Sequence, residues 1–132
     1  MFSHVHLGTG DLARAVRFYE SVLSPLGLVL RRHDPAAGWA IWQAPGAARP
    51  LFIVGRPFDG GVASAGNGTM TAFLAPDPAA VDACHRLALA AGGTDEGAPG
   101  LRPHYHPHYY GAYFRDLDGN KLCVCCHETD GG

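Results

Sequence analysis

The sequence predicts an α+β protein made of two successive βαβββ units, and three observations carry that expectation. Two amphipathic helical stretches each follow an alternating apolar segment. Their capping aspartates, Asp11 and Asp77, lie 66 residues apart, half of the 132-residue chain. Each helix is then followed by short apolar runs bounded by turn residues.

In order, FSHVHLG alternates as a strand does. Asp11 to Leu23 places Leu12, Ala15, Val16, Tyr19, Val22 and Leu23 on one helical stripe, with Asp11 as the cap and Pro25 and Gly27 as the stop. LVLRRH, GWAIWQA and LFIVGRP read as three strands. The Gly/Ala/Ser-rich residues 59–68 have no apolar period and form a linker, dividing module one (1–65) from module two (66–132). MTAFLA opens the second module, and Asp77-Pro78 starts a helix with Val81, Cys84, Leu87, Ala88 and Ala91 inward that Gly92-Gly93 ends. A short extended piece, GAYFRDL and KLCVCC complete it, with Asp118 and Gly119 read as makers of the last hairpin turn and nothing more. One sheet with one helix leaves an apolar face uncovered, so the two modules are expected to form a single domain, 1–132.

A net charge of -2 and a pI near 6.4 offer no basic face, which excludes nucleic acid and an anionic membrane as expected partners. The start, MFSHVHLGTGDL, has neither a basic n-region nor an apolar h-region, and no eighteen apolar residues run together, so a cytoplasmic location is expected. Of the cysteines, Cys123, Cys125 and Cys126 crowd into one strand, poor geometry for bridging, and with Cys84 they are read as reduced thiols. His104, His106 and His108 alternate in RPHYHPHYY, but Pro103 and Pro107 interrupt any ligand-presenting strand. The segment reads as a solvated loop, with a lid over a pocket as the functional alternative.

HVHLGTGDLARAVRFYESVLSPLGL and GAYFRDLDGNKLCVC resemble the start and finish of vicinal oxygen chelate domains, the superfamily of glyoxalases, bleomycin-resistance proteins and extradiol dioxygenases. GAPGLRPHYHPHYYGAYFRDLDGN further resembles a bacterial subgroup described only as glyoxalase/bleomycin resistance/dioxygenase-like. The resemblance implies two tandem modules forming an open cup-shaped mixed sheet with flanking helices, a small-molecule ligand and a homodimer. In metal-dependent members the ligands come from the first and last strand of each module. Counted from Asp11, Asp77 and Asn120, those positions fall on His4, on Ile53 or Val54, on Thr71 and on Cys123. Aliphatic side chains cannot donate electron pairs and a neutral hydroxyl is a weak ligand, so only His4 and Cys123 remain as metal candidates. The same two are the candidate catalytic groups, an acid-base and a nucleophile. His6 and Cys125 share their faces and make a His/His/Cys set conceivable, one that would suit zinc or copper.

The expectation is therefore a protein that binds a small molecule in an apolar cup, without the usual four-ligand site and without a cofactor. The alternative is a metal-dependent glyoxalase I-like lyase or dioxygenase using zinc, nickel, iron or manganese through a non-standard His/Cys set. Ligand contacts are expected from His6, Trp42, Phe52, Thr71, Phe73, Tyr110 and Tyr113. Trp39 and Tyr109 are read chiefly as core aromatics, and an inward Arg102 or Arg115 would suit an anionic ligand.

Overall fold

The computed structural model describes residues 1–127. The chain runs β1 (His4–Gly8), α1 (Leu12–Val22), a 3-10 turn (Ser24–Leu26), β2 (Val29–Asp34), β3 (Trp39–Gln43) and β4 (Leu51–Gly55). It continues through β5 (Thr71–Leu74), α2 (Pro78–Ala90), β6 (Thr94–Leu101), β7 (Tyr110–Arg115) and β8 (Lys121–Cys126). Two open four-stranded sheets result, ordered β1-β4-β3-β2 and β5-β8-β7-β6. In each, the first strand lies parallel to the last and the other pairings are antiparallel. This is the α+β architecture of two tandem βαβββ modules.

The helices start where the aspartates stand. Asp11 accepts the Arg14 N–H at 3.1 Å and Asp77 the Ala80 N–H at 2.8 Å, each satisfying a donor the first turn leaves unpaired. Strand β6 differs from the short piece expected, because its eight residues, TDEGAPGL, carry the Gly and Pro of a loop. They remain extended because β6 is an edge strand, where a proline needs no ladder partner, and its pairing with β7 slips twice.

Alternation divides each sheet into two faces. In the first, Ala40, Trp42, Phe52 and Val54 are buried toward α1, while Trp39, Ile41, Ile53 and Gly55 face away. Tyr19 of α1 packs against Trp42 and Phe52 with ring centroids 5.8 and 5.1 Å apart, and Phe73 of the second sheet lies 4.9 Å from Phe52. The core is thus continuous across both modules. In the second sheet Leu122, Val124, Ala112 and Phe114 lie toward α2, and Cys123 and Cys125 lie on the opposite face.

The turn before β8 clasps the first module. Asp116 accepts the Tyr19 hydroxyl at 2.5 Å, the Asn120 side chain at 2.9 Å and the backbone N–H groups of Asp118 and Asn120. Asp118 accepts Thr9 Oγ1 at 2.6 Å and the Gly10 N–H at 2.9 Å, and Asn120 Nδ2 donates to the Gly8 carbonyl. The reading of Asp118 as a turn-maker alone is corrected here. A turn signal describes local backbone, and nothing local to residues 116–120 discloses a partner 109 residues earlier.

Candidate functional site

Each sheet presents a face that no helix covers, and the side chains there are set by strand register. On the first, His6 pairs with Ile53 and His4 with Leu51. His6 stands over Gly55, where a Cβ would come within 3.0 Å of its Nε2 and 2.9 Å of Trp39 Cβ, so glycine makes room for both rings. Burial, and then the neighbouring His4, hold the His6 imidazole below its usual value. A cavity of about 820 Å³ opens beside His6, walled by Trp39, Arg56 and Phe58. His4 itself is exposed and hydrogen-bonds Ser3 Oγ at 2.9 Å.

On the second sheet, Ala72 and not Thr71 lies beside Cys123, and Tyr113 pairs with Cys123 on the other side. Thr71 and Phe73 are opposite Leu122 and Val124, on the α2 side. A cavity of about 560 Å³ is lined by Tyr105, Tyr113, Arg115 and Lys121 together with residues 65–70. Tyr110 turns the other way and donates to Asp82 of α2 at 2.6 Å, which pushes its phenol up to about 12.

A third, apolar cavity of about 330 Å³ lies at the seam between the sheets. It gathers Trp42, Phe52, Thr71 and Phe73, four of the seven expected ligand contacts, with Val5, Leu28 and Leu74. His6 and Tyr113 occupy the two separate open faces, and Tyr110 joins none of these groups. His4 stands on the edge strand β1 and Cys123 on the inner strand β8 of the other sheet, and no hydrogen bond among the described residues joins them.

Around Cys123 the structure assembles a group only partly visible in the sequence. The Tyr109 hydroxyl lies 3.4 Å from Cys123 Sγ and 3.0 Å from the Tyr113 hydroxyl. Cys125 Sγ lies 4.0 Å from His127 Nε2, and His127 Nδ1 is 2.9 Å from His106 Nε2. Hydrogen bonding from Cys123, then from Tyr109 and His127, draws the Cys125 thiol below its ordinary value, while its interaction with Cys125 and burial push Cys123 up. The loop 104–109 is therefore tied to β8 through Tyr109 and to His127, the residue after β8, through His106, whereas His104 and His108 are exposed. The signal for His127 is its spacing two residues beyond Cys125, which continues the period of the strand.

The fold's metal-dependent relatives need three or four donors around the ion. Among the described residues no group of three or more His, Cys, Asp and Glu side chains is placed to hold one. The paired first- and last-strand positions are His6 and Ile53 in one sheet and Ala72 and Cys123 in the other, and two of these four side chains carry no lone pair. The residues do not fit a four-ligand divalent site.

Among curated proteins, none matches the chain. Among solved structures, it is similar to a glyoxalase/bleomycin resistance protein from Albidiferax ferrireducens, with 35% identity over 96% of this chain and 98% of that one and a TM-score of 0.82. It shares its fold with a glyoxalase/bleomycin resistance protein/dioxygenase family enzyme from Burkholderia phytofirmans (20% identity, 95% and 97% covered, TM-score 0.71). The fold also matches lactoylglutathione lyase from Agrobacterium tumefaciens (20% identity, 96% and 92% covered, TM-score 0.66). The model of the Glyoxalase/Bleomycin resistance protein/Dioxygenase superfamily matches residues 1–124, nearly the whole described chain, and with a relative 35% identical along its length it is to this superfamily that the protein belongs.

Proposed function

We propose that this protein binds a small molecule on the uncovered faces of its sheets without the divalent metal that many of its relatives use. The observation that carries this reading is the pairing of aromatic-walled cavities with donor-poor first and last strands. Trp39, Phe58 and His6 wall one cavity and Tyr105 and Tyr113 the other, while Ile53 and Ala72 stand where an ion would need ligands. Flat apolar walls with a few polar atoms select a ligand by shape and orient it by hydrogen bonds.

The working form we propose is a cytoplasmic homodimer. β1 and β5 each pair with one strand only, and Leu74 on β5 is 71% exposed, with Phe2 and Met70 also exposed. Apolar side chains along two unpaired edges favour burial against a second copy.

Elemental analysis of untagged protein purified without chelators, followed by thermal melts with zinc, nickel, iron and manganese, tests the metal-free part. No stoichiometric metal and no stabilisation are expected, because an ion held by the native state would raise the melting temperature by mass action. Metal that disappears on His4→Ala, with turnover of a thiol adduct of an oxoaldehyde or of a catechol, would overturn the proposal in favour of a lyase or dioxygenase. Ligand screening by the same melts is expected to yield compounds whose effect is lost in His6→Ala or Tyr113→Phe.

A further inference from the structure

We propose that the cavity beside Tyr113 takes an organic monocarboxylate, its flat apolar body against the tyrosine rings and its carboxylate on the Lys121 ammonium. The proposal rests on the reading of this face as a ligand site and adds to it the charge of the ligand and the residue that recognises it.

The charges around this cavity do not balance. Arg115 and Lys121 are register partners across β7 and β8, on the uncovered face that also carries Tyr113, and both line the cavity. Like charges directly opposite on neighbouring strands repel, so the sheet's own stability gives no reason for the pair. Glu96 answers one of the two: its Oε1 accepts from Arg115 Nε at 2.9 Å, while Arg115 Nη1 donates to the Gly119 carbonyl. No carboxylate among the described residues forms an ion pair with Lys121. Lys121 opens the inner strand β8 and is half-buried, its Nζ 5.9 Å from the centre of the Tyr113 ring. Arg102 approaches the same ring at 5.5 Å, its guanidinium held by the Gly100 and Ala98 carbonyls and not by a carboxylate. Among the described residues no acidic side chain lines the cavity. Arg102, Arg115 and Lys121 thus gather at one tyrosine with Glu96 as their counterion, in a chain whose net charge is -2.

The charge and shape of the ligand follow. Within the cavity wall Lys121 carries a single positive charge without a counterion, which one carboxylate offsets. A dianion such as a phosphate monoester would bring a surplus negative charge toward Glu96. Arg115 has already committed its Nε and Nη1, so it cannot turn its bidentate fork on the ligand, and Lys121 is the first contact. Arg102 stands outside the wall and raises the local potential without taking part in it. Tyr105 and Tyr113 offer flat faces, and Asn67 and Thr69 bring hydrogen-bonding side chains from the segment that closes the cavity. A volume of about 560 Å³ is enough to take in a small organic molecule.

The test uses the whole protein and three probes of one skeleton, naphthoate, the neutral naphthamide and naphthyl phosphate, at about pH 8, where the phosphate is a dianion. Probe fluorescence and melting temperature follow binding. Naphthoate is expected to bind about ten-fold or more tightly than the amide, and to weaken as salt is raised while the amide does not. Lys121→Gln should weaken naphthoate by about ten- to a hundred-fold, the worth of a hydrogen bond to a charged group, and leave the amide unchanged. The same change should keep or raise the melting temperature of the ligand-free protein, because it removes a like-charge pair. Glu96→Gln should shift preference toward the phosphate. Equal binding of naphthoate and naphthamide would overturn the proposal while the apolar site stood. So would a wild-type preference for the phosphate, or naphthoate binding indifferent to Lys121→Gln. A ligand-free Lys121→Gln protein that melts lower would show that the lysine serves the fold through Tyr113, and would overturn it too. Binding of none of the probes would sink the proposal and leave the broader reading to the ligand screen and metal analysis. The salt and amide comparisons are made on wild-type protein, so a variant that fails to fold does not obscure them.

Discussion

Tyr19→Phe separates the clasp between the modules from the packing beneath it. The phenyl ring keeps its contacts with Phe18, Trp42 and Phe52, so only the hydroxyl that donates to Asp116 is removed. Asp116 is 5% exposed and no cation lies among its hydrogen-bond partners, so it depends on donors alone. Losing one hydrogen bond to such a carboxylate costs about 1.5–3 kcal/mol. For a chain of this length the unfolding entropy converts each kcal/mol into about 3.5 °C, so a fall of roughly 5–10 °C in melting temperature is expected. Thermal denaturation followed by circular dichroism measures it, with urea unfolding as the check that the slope is unchanged. A fall under about 2 °C would show that the remaining three donors satisfy Asp116 and that the Tyr19 bond adds nothing. Burial, and then the Asp116 carboxylate, hold the Tyr19 phenol well above its usual value, so alkaline pH should leave the bond intact until the fold itself is lost.

Further outcomes follow from the same geometry. Gly55→Ala drives a methyl to 2.9 Å of Trp39 Cβ and 3.0 Å of both the Gly38 carbonyl and His6 Nε2, and should destabilise by about 1–3 kcal/mol in urea titration while weakening any ligand held beside His6. The hydrogen bond from His85 lowers the Asp95 carboxyl, so its contribution is present above the unfolded value near ~3.9 and is lost as pH falls through the lower folded value. The stability gap between wild type and Asp95→Asn should therefore close in acid, and a gap independent of pH would refute the pairing. Iodoacetamide modification of Cys125, once Tyr109→Ala uncovers it and removes one donor, should still reach half its maximal rate at a pH below the ~8.5 of a free thiol, because the bonds from Cys123 and His127 remain. A midpoint at or above that value would count against the donors assigned to it.

The elements most legible in the sequence were those with their own punctuation. Asp11 and Asp77 announce both helices because capping is a local event, and the 66-residue offset between them exposes the duplication. β6 was underread because an edge strand tolerates Gly97, Pro99 and Gly100, residues that in isolation denote a loop. The faces were harder than the strands. Phe52 and Phe73 look alike to any scale of hydrophobicity whether they line a cavity or meet Tyr19, and only register decides. Thr71 and Ala72 differ by one position, yet that position settles which of them stands beside Cys123. The contacts of Tyr109 and His106 with β8 were hidden because a loop's spacing carries no period that would bring it back over a strand.

The stretch between β4 and β5, which contains the segment 59–68 read as a linker, does more than join the modules. Pro57, Phe58, Asp59, Gly60, Val62 and Ser64 wall the cavity beside His6, and the next six residues, 65–70, wall the one beside Tyr113. Neither helix nor any paired strand constrains the length of this stretch, whereas both sheets are locked by the Asp116 and Asp118 clasp. Insertions, deletions and substitutions here change the walls of both cavities. If the proposed binding on these faces holds, a change in this single stretch is expected to alter the preference of both cavities together.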